Sequence, residues 1–261
     1  MPDFLRICEE AARAGGTVLL DWADRFAIRE KGPADVVTEA DLAAQEAIRS
    51  IVLGKFPEHE FLGEEDSHHA PTSGNYRWIV DPLDGTMNYV HRVPSYCTSV
   101  ALALGHELVV GAVYDPVSQE CYLAERGAGA YLNGQAIKVS KVTSPNKALV
   151  AASFPPQVRR DSPELNTFVQ VLLHTQGIRR TGSAALNLCY LACGRFDAFW
   201  ATETHAWDIA AGVLLVREAG GVMTDLDGGS IDLDRPRFLG AATQVLHDDM
   251  RRILTGSYVP S

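Results

Sequence analysis

Apolar residues near the start of the chain fall at Phe4, Cys8, Ala11, Ala12, Val18, Leu19 and Trp22, spaced by three, four or slightly more, which predicts an amphipathic first helix. Thr38 with Asp41 three residues on gives a second helix a capping-box start. Ala44, Ala47, Ile48 and Ile51 supply its buried stripe, and Phe56-Pro57 stops it. From Arg77 to about Val139 the periodicity shortens to strand runs, RWIV, SVALALG, LVVGAVYD and CYLAE. Turn signals at Gly105-His106 and Asn133-Gly134 make these an antiparallel meander. After Pro145 strands and helices alternate: LVAASF, PELNTFVQVLLHTQ, GSAALNLCYLAC ended by Gly194, DAFWA, WDIAAGVLLVREAGG, VMTDL, FLGAAT and a last helix near His247. Thr, Ser, Pro and Asn cluster at 142–148. The expectation is an α/β protein with an N-terminal α+β part over 1–145 and a C-terminal α/β part over 146–261.

A chain of 261 residues can bury a substantial core, and 46% hydrophobic with 21% charged residues is ordinary for a globular protein. The formal net charge of −10 repels phosphate backbones and anionic lipid, so neither a nucleic acid nor a membrane is expected as a partner. A small anionic substrate would need cations to offset that charge. The odd count of five cysteines, Cys8, Cys97, Cys121, Cys189 and Cys193, predicts free thiols in a reducing compartment. MPDFLRICEE lacks the pattern of a signal peptide, and the apolar stretch from Ser99 to Tyr114 is too short to span a bilayer. The expected location is therefore cytoplasmic.

Four carboxylates stand where segments end: Glu64 in FLGEED, Asp81 and Asp84 in WIVDPLDGTMNYVH, and Asp208 in HAWDIAAG. Carboxylates gathered together repel one another and take up protons unless cations join them. Oxygen donors without histidine or cysteine favour magnesium or manganese. Two such ions roughly 3.5–4 Å apart polarise a phosphoryl oxygen, activate a water and stabilise a leaving alkoxide. Asp81 is placed to bridge them, Pro82 helps turn Asp84 to the same place, and Gly85-Thr86 opens a helix whose amides suit an anion. Each residue alone also has a structural reading: a turn for Asp84-Gly85, a helix-dipole partner for Asp208, a capping box for Asp41, packing for His205 beside Trp207. Glu65 and Asp66 read equally as supporting groups or surface, and the His68-His69 doublet has no metal spacing.

GEED, WIVDPLDGTMNYVH and WDIAAGVLLVREAGG, together with DVVTEAD, GAVYDP and GSAALNLC, resemble the inositol monophosphatase family of magnesium-dependent, lithium-sensitive phosphatases over nearly the whole chain. The resemblance implies a layered αβαβα sandwich, usually a homodimer, that hydrolyses a small phosphorylated polyol, sugar or related metabolite by direct attack of a metal-activated water. It implies Glu64, Asp81 and the Leu83 carbonyl as ligands of one magnesium, and Asp81, Asp84 and Asp208 as ligands of a second. A third site is weaker, and manganese is an alternative. Asp41 and Thr86 resemble the pair that orients the attacking water, with Glu64 also catalytic. Asp84, Gly85, Thr86, Ser183, Ala184 and Asp208 match substrate-binding positions, and Lys31 a basic residue of a loop near the site.

The chain departs from the family at Ala201, where many relatives carry an acid that binds substrate hydroxyls. Glu203 is two residues on, and Met87 replaces a frequent threonine. On a strand that shift moves a carboxylate by roughly 6–7 Å. Fructose-1,6-bisphosphatase, histidinol-phosphate phosphatase and the phosphatase of 3′-phosphoadenosine 5′-phosphate are the near alternatives, with Arg179 and Arg180 as the basic groups a second phosphate needs. A haloacid-dehalogenase motif fits poorly because Asp-Pro-Leu-Asp-Gly-Thr is one residue too long. A regulatory binding protein on the same fold is the alternative of another class.

Overall fold

In the computed structural model, residues 3–23, 25, 28–32, 35–65, 76–155 and 158–259 are described, with the backbone alone at 28–32 and 35–37. Helix α1 (Phe4–Trp22) leads into a hairpin of β1 (Ile28–Gly32) and β2 (Asp35–Thr38), then α2 (Glu39–Lys55). A seven-stranded sheet follows, ordered β3 (Glu60–Gly63), β4 (Tyr76–Asp84), β5 (Cys97–Leu104), β6 (Glu107–Asp115), β7 (Glu120–Glu125), β8 (Gly129–Leu132) and β9 (Gln135–Ala136), with α3 (Thr86–Val90) between β4 and β5. The rest of the chain comprises β10 (Leu149–Ser153), α4 (Pro163–His174), β11 (Gly177–Arg179), α5 (Ala184–Ala192), β12 (Ala198–Ala201), α6 (Ala206–Glu218), β13 (Val222–Thr224), β14 (Phe238–Ala241) and α7 (Gln244–Leu254). Its five strands form a second sheet, ordered β11-β10-β12-β14-β13.

Side-chain alternation along the strands makes the layers. In the first sheet Trp78, Val80, Val100, Leu102, Val110 and Ala112 face Ile7, Cys8, Ala11 and Ala12 of α1 and Ile48 and Val52 of α2. Their neighbours Ile79, Ala101, Ala103 and Val113 face the opposite way, into a core shared with Leu186 and Leu188 of α5 and Ile209 and Val213 of α6. Phe199, Ala201 and Phe238 of the second sheet enter that same core, whereas Val150, Trp200 and Leu239 pack outward with Val171 of α4 and Leu246 and Met250 of α7. The order is helices, sheet, helices, sheet, helices, which is the expected αβαβα sandwich. Each fully buried large side chain contributes about 1.5–3 kcal/mol.

The meander from β4 to β9 is antiparallel throughout, and Asn133-Gly134 turns with φ of 48° and 79°, the left-handed pair that a two-residue hairpin requires. Three pairings depart from the pattern expected. Strand β3 adds to β4 in parallel, β11 adds to β10 in parallel, and the β1–β2 hairpin puts Lys31 on a strand rather than in a loop. All are five residues or shorter and carry charges or glycine, so no alternation marked them. All five cysteines are free thiols, as expected. Among the described residues no helix is long and apolar enough to cross a membrane.

Helix α6 approaches the first sheet closely because Gly111 has no side chain: a Cβ there would stand 2.9 Å from Ala211 Cα, a backbone atom that cannot swing aside. Gly111→Ala is expected to cost about 1–3 kcal/mol through overpacking, seen as a lower urea midpoint with an unchanged slope. A wild-type midpoint would mean that α6 is not seated this tightly.

Candidate active site

Asp81 and Asp84 are three residues apart, and strict alternation would point them to opposite faces of β4. The register resolves this: Asp81 pairs with Ser99 and Asp84 with Cys97, so three steps on β4 match two on β5. The extra residue is a bulge, which restores both aspartates to one face. Pro82 sits inside it, where its missing N–H costs no ladder bond, and its carbonyl accepts the buried Thr98 hydroxyl at 3.1 Å. A proline within an apolar strand run was the sequence signal for this bulge.

Asp81, Asp208 and Asp41 each use one oxygen to fix the local backbone. Asp81 Oδ1 accepts from Leu83 N–H at 3.0 Å. Asp208, in the first turn of α6, accepts from His205 N–H on Oδ2 at 2.7 Å and so caps its own helix. Asp41 Oδ2 takes the Thr38 N–H at 2.8 Å and the Thr38 hydroxyl at 2.5 Å, the capping box expected for α2. Its Oδ1 lies 3.4 Å from the Thr86 hydroxyl, which also reaches the carbonyl of the buried Leu83 at 3.0 Å. Asp41 therefore satisfies the structural reading and still faces Thr86. Glu64 is pinned beside the bulge by its own N–H, which donates to Val80 O at 3.1 Å.

Asp84 is held from across the molecule. Ser183 Oγ and Ala185 N–H both donate to Oδ2 at 2.6 Å, and Ala184 N–H to Oδ1 at 3.3 Å, so the start of α5 grips this carboxylate. Ser183 also accepts from Leu186 N–H at 3.1 Å, capping α5 with the same hydroxyl. Gly85 adopts φ 97°, and a Cβ there would meet Ser95 O at 2.9 Å, so only glycine fits the corner between the bulge and α3.

The charges register one another. Burial raises the pKa of Asp81 far above the ordinary carboxylate range, and Glu64, Asp84 and Asp208 push it further. Asp84 is pushed up to about 7 by burial and then Asp208, against the lowering effect of Ser183, Ala185 and Ala184. Burial raises Asp41 to about 6, opposed by its Thr38 bonds. The His205 pKa is raised by its bond to Asp208, with Glu64 and Glu203 adding to it; its ring stacks on Trp207 at 4.7 Å. Glu64, Asp81, Asp84 and Asp208 thus converge although they come from three separate segments. The donors are all oxygen, buried at Asp81 and Asp84, half-buried at Glu64 and Asp208, and mutually repelling, which fits hard divalent cations. Among the described residues no three acidic, histidine or cysteine side chains already enclose one point as ligands would, so the acids are neighbours rather than a finished cage.

Asp84 and Asp208 open into a cleft of about 500 Å³ that also meets Asn88, Phe154, Arg180 and Glu203. A cavity of similar size, about 520 Å³ beside Arg13 and Tyr114, holds none of these acids. Ala201 is wholly buried in the central core, whereas Glu203 is exposed on the cleft. The Arg179 guanidinium folds back onto Ile178 O, while Arg180 lines the cleft. Asn88 escaped sequence reasoning: its amide donates to Ser95 O at 2.7 Å and Thr181 O at 2.8 Å, joining segments 93 residues apart. No local pattern announces such a link. Asp66, His68 and His69 and the side chain of Lys31 lie outside the described residues.

The model of the inositol monophosphatase family matches residues 3–256. The inositol-1-monophosphatase of Rhizobium meliloti is 42% identical over 225 residues, 85% of each chain. The Nus factor SuhB of Pseudomonas aeruginosa is 38% identical over 252 residues, 94% of this chain and 93% of the relative. Among solved structures, an IMPase/NADP phosphatase complexed with Mg2+ and phosphate superposes with a TM-score of 0.82 at 29% identity, covering 91% of this chain and 89% of that one.

Proposed function

The chain belongs to the inositol monophosphatase family and is a phosphoric monoester hydrolase, and we propose that it cleaves monoesters of small hydroxylated metabolites with the help of magnesium. The observation that carries this reading is the meeting of Glu64, Asp81, Asp84 and Asp208 at the β4 bulge, where Asp84 and Asp208 open onto a cleft. The magnesium-and-phosphate complex of the IMPase/NADP phosphatase supports it. Bound there, magnesium supplies charge neutralisation for the phosphoryl oxygens and an acidified water. Glu64, Asp81, the Leu83 carbonyl, Asp84 and Asp208 would hold two or three such ions.

The protein's own groups divide the remaining work. Thr86 orients the attacking water with its hydroxyl, and Asp41 Oδ1 behind it accepts the proton released as oxygen adds to phosphorus. Attack is direct, with no phosphorylated side chain. The backbone at Gly85 and Thr86 receives the phosphate. Ser183 and Ala184 serve the substrate through Asp84, which they hold in place. Lithium sensitivity and a homodimer belong to the same reading, drawn from the family resemblance, while a cytoplasmic location and a division near residue 145 are proposed from the sequence pattern.

Phosphate release from a panel of monoesters, with and without magnesium, tests this directly. Magnesium-dependent turnover of at least one is expected, and none on any ester would overturn the proposal. The similarity to a Nus factor favours a second reading, a regulatory binding role on the same fold, which predicts that inactive variants keep that role.

A further inference from the structure

Strand β3 ends at Gly63, one residue short of Glu64, and the backbone beyond it is held from two sides. The Glu64 N–H donates to Val80 O of β4 at 3.1 Å, and the next N–H, that of Glu65, donates to Gln45 Oε1 of α2 at 3.0 Å. These two N–H groups belong to the peptide planes on either side of the Glu64 Cα. Each plane is rigid, so anchoring both fixes the direction in which the Glu64 side chain leaves the chain. One anchor is the strand that carries Asp81 and Asp84, and the other is a single side chain, Gln45.

Gln45 is a polar residue on the buried face of α2, only 6% exposed, beside Ala44 and Ile48. A buried amide costs free energy unless it is hydrogen-bonded, and an apolar side chain would fill the same space without that cost. The neighbouring strand makes room for it. A Cβ on Gly63 would overlap Gln45 Oε1, and it would stand 2.6 Å from Gln45 Cδ and 2.8 Å from the Phe61 ring. Gly63 does not have a positive φ, so its missing side chain serves this packing rather than a turn. Asp41 lies one turn earlier on the same helix face, roughly 6 Å along the axis, with Oδ1 towards Thr86. Helix α2 thus carries both the acid that faces Thr86 and the amide that anchors the Glu64 backbone.

We propose, resting on the phosphatase reading above, that Gln45 is a positioning residue for the reaction: it holds Glu64 in register with Asp41, so that the magnesium ligand and the proton acceptor address the same attacking water. Gln45 acts through the Glu65 N–H and not on the ester. Without the bond the four acids stay near one another, but the peptide plane after Glu64 is free to turn and its carboxylate to swing.

The test measures magnesium binding by calorimetry in the absence of any ester, and turnover on p-nitrophenyl phosphate and the panel of monoesters. Gln45→Met keeps the side-chain length and loses the acceptor. It should weaken magnesium binding by about 10- to 100-fold, the scale for groups that orient a metal ligand. At saturating magnesium it should lower kcat by about tenfold while KM for the ester stays within about twofold. Gln45→Glu, whose carboxylate still accepts the Glu65 N–H, should recover most of both losses. Gly63→Ala displaces the amide without changing it and should repeat the Gln45→Met pattern. A lower melting temperature in chelator with wild-type magnesium affinity would make the bond merely structural and overturn the inference. Wild-type affinity and kcat in both Gln45→Met and Gly63→Ala would overturn it too, with the phosphatase reading intact. Wild-type inactivity on every ester would remove that reading and the inference together.

Discussion

Asp81→Asn is expected to abolish turnover while making the metal-free protein more stable. Asp81 stands at the centre of the four acids, and an amide cannot supply the charge that divalent cations require. The loss of several kcal/mol of transition-state stabilisation corresponds to roughly a thousandfold or more in rate. The stability effect has the opposite sign. Because burial and three neighbouring carboxylates raise the Asp81 pKa in the fold, the folded state binds the proton more tightly than the unfolded one. Such a group costs nothing below the ordinary carboxylate pKa, near 4, and destabilises increasingly as pH rises above it. Asparagine removes that cost. In chelator, the melting temperature of the variant should exceed wild type, by more at pH 8 than at pH 5. An active variant would displace Asp81 from the reaction, and a variant less stable than wild type at pH 8 would contradict the crowding of charge.

Magnesium should stabilise the wild-type protein and chelator should reverse it. A ligand at a hundred times its dissociation constant contributes about 2.7 kcal/mol. At about 2–4 °C per kcal/mol for a chain approaching this size, that predicts a rise of roughly 5–10 °C. Part of the rise reflects relief of repulsion among Glu64, Asp81, Asp84 and Asp208, so Asp81→Asn should show a much smaller shift. Identical melting of the wild type with magnesium and with chelator would exclude the acid cluster as a cation site.

Much of this architecture was legible because periodicity is a local property. The stripe of α1, the capping box of α2, the β4–β9 meander and the helices after residue 160 all announce themselves within a few residues. Strands β3 and β11 do not: with four and three residues, they exist because a neighbour offers a free edge. The site followed the same division. Asp81 and Asp84 could be linked because one bulged strand carries both, whereas the grip of Ser183 and Ala185 on Asp84 and the link from Asn88 to Thr181 span about a hundred residues. Weighing a capping role against a pocket role for Asp41 set up a choice that the fold does not make, since its two oxygens face two ways.

Helices α5 and α6 lie between the two sheets and complete the core of both. A hybrid joining the first 145 residues of this chain to the remainder of a relative would press foreign helices onto the surface at Gly111, where Ala211 now fits against bare backbone. The polar linker that invites such a splice is thus a poor crossover point. Exchanging short stretches at the cleft rim is the safer route to a redesigned substrate preference.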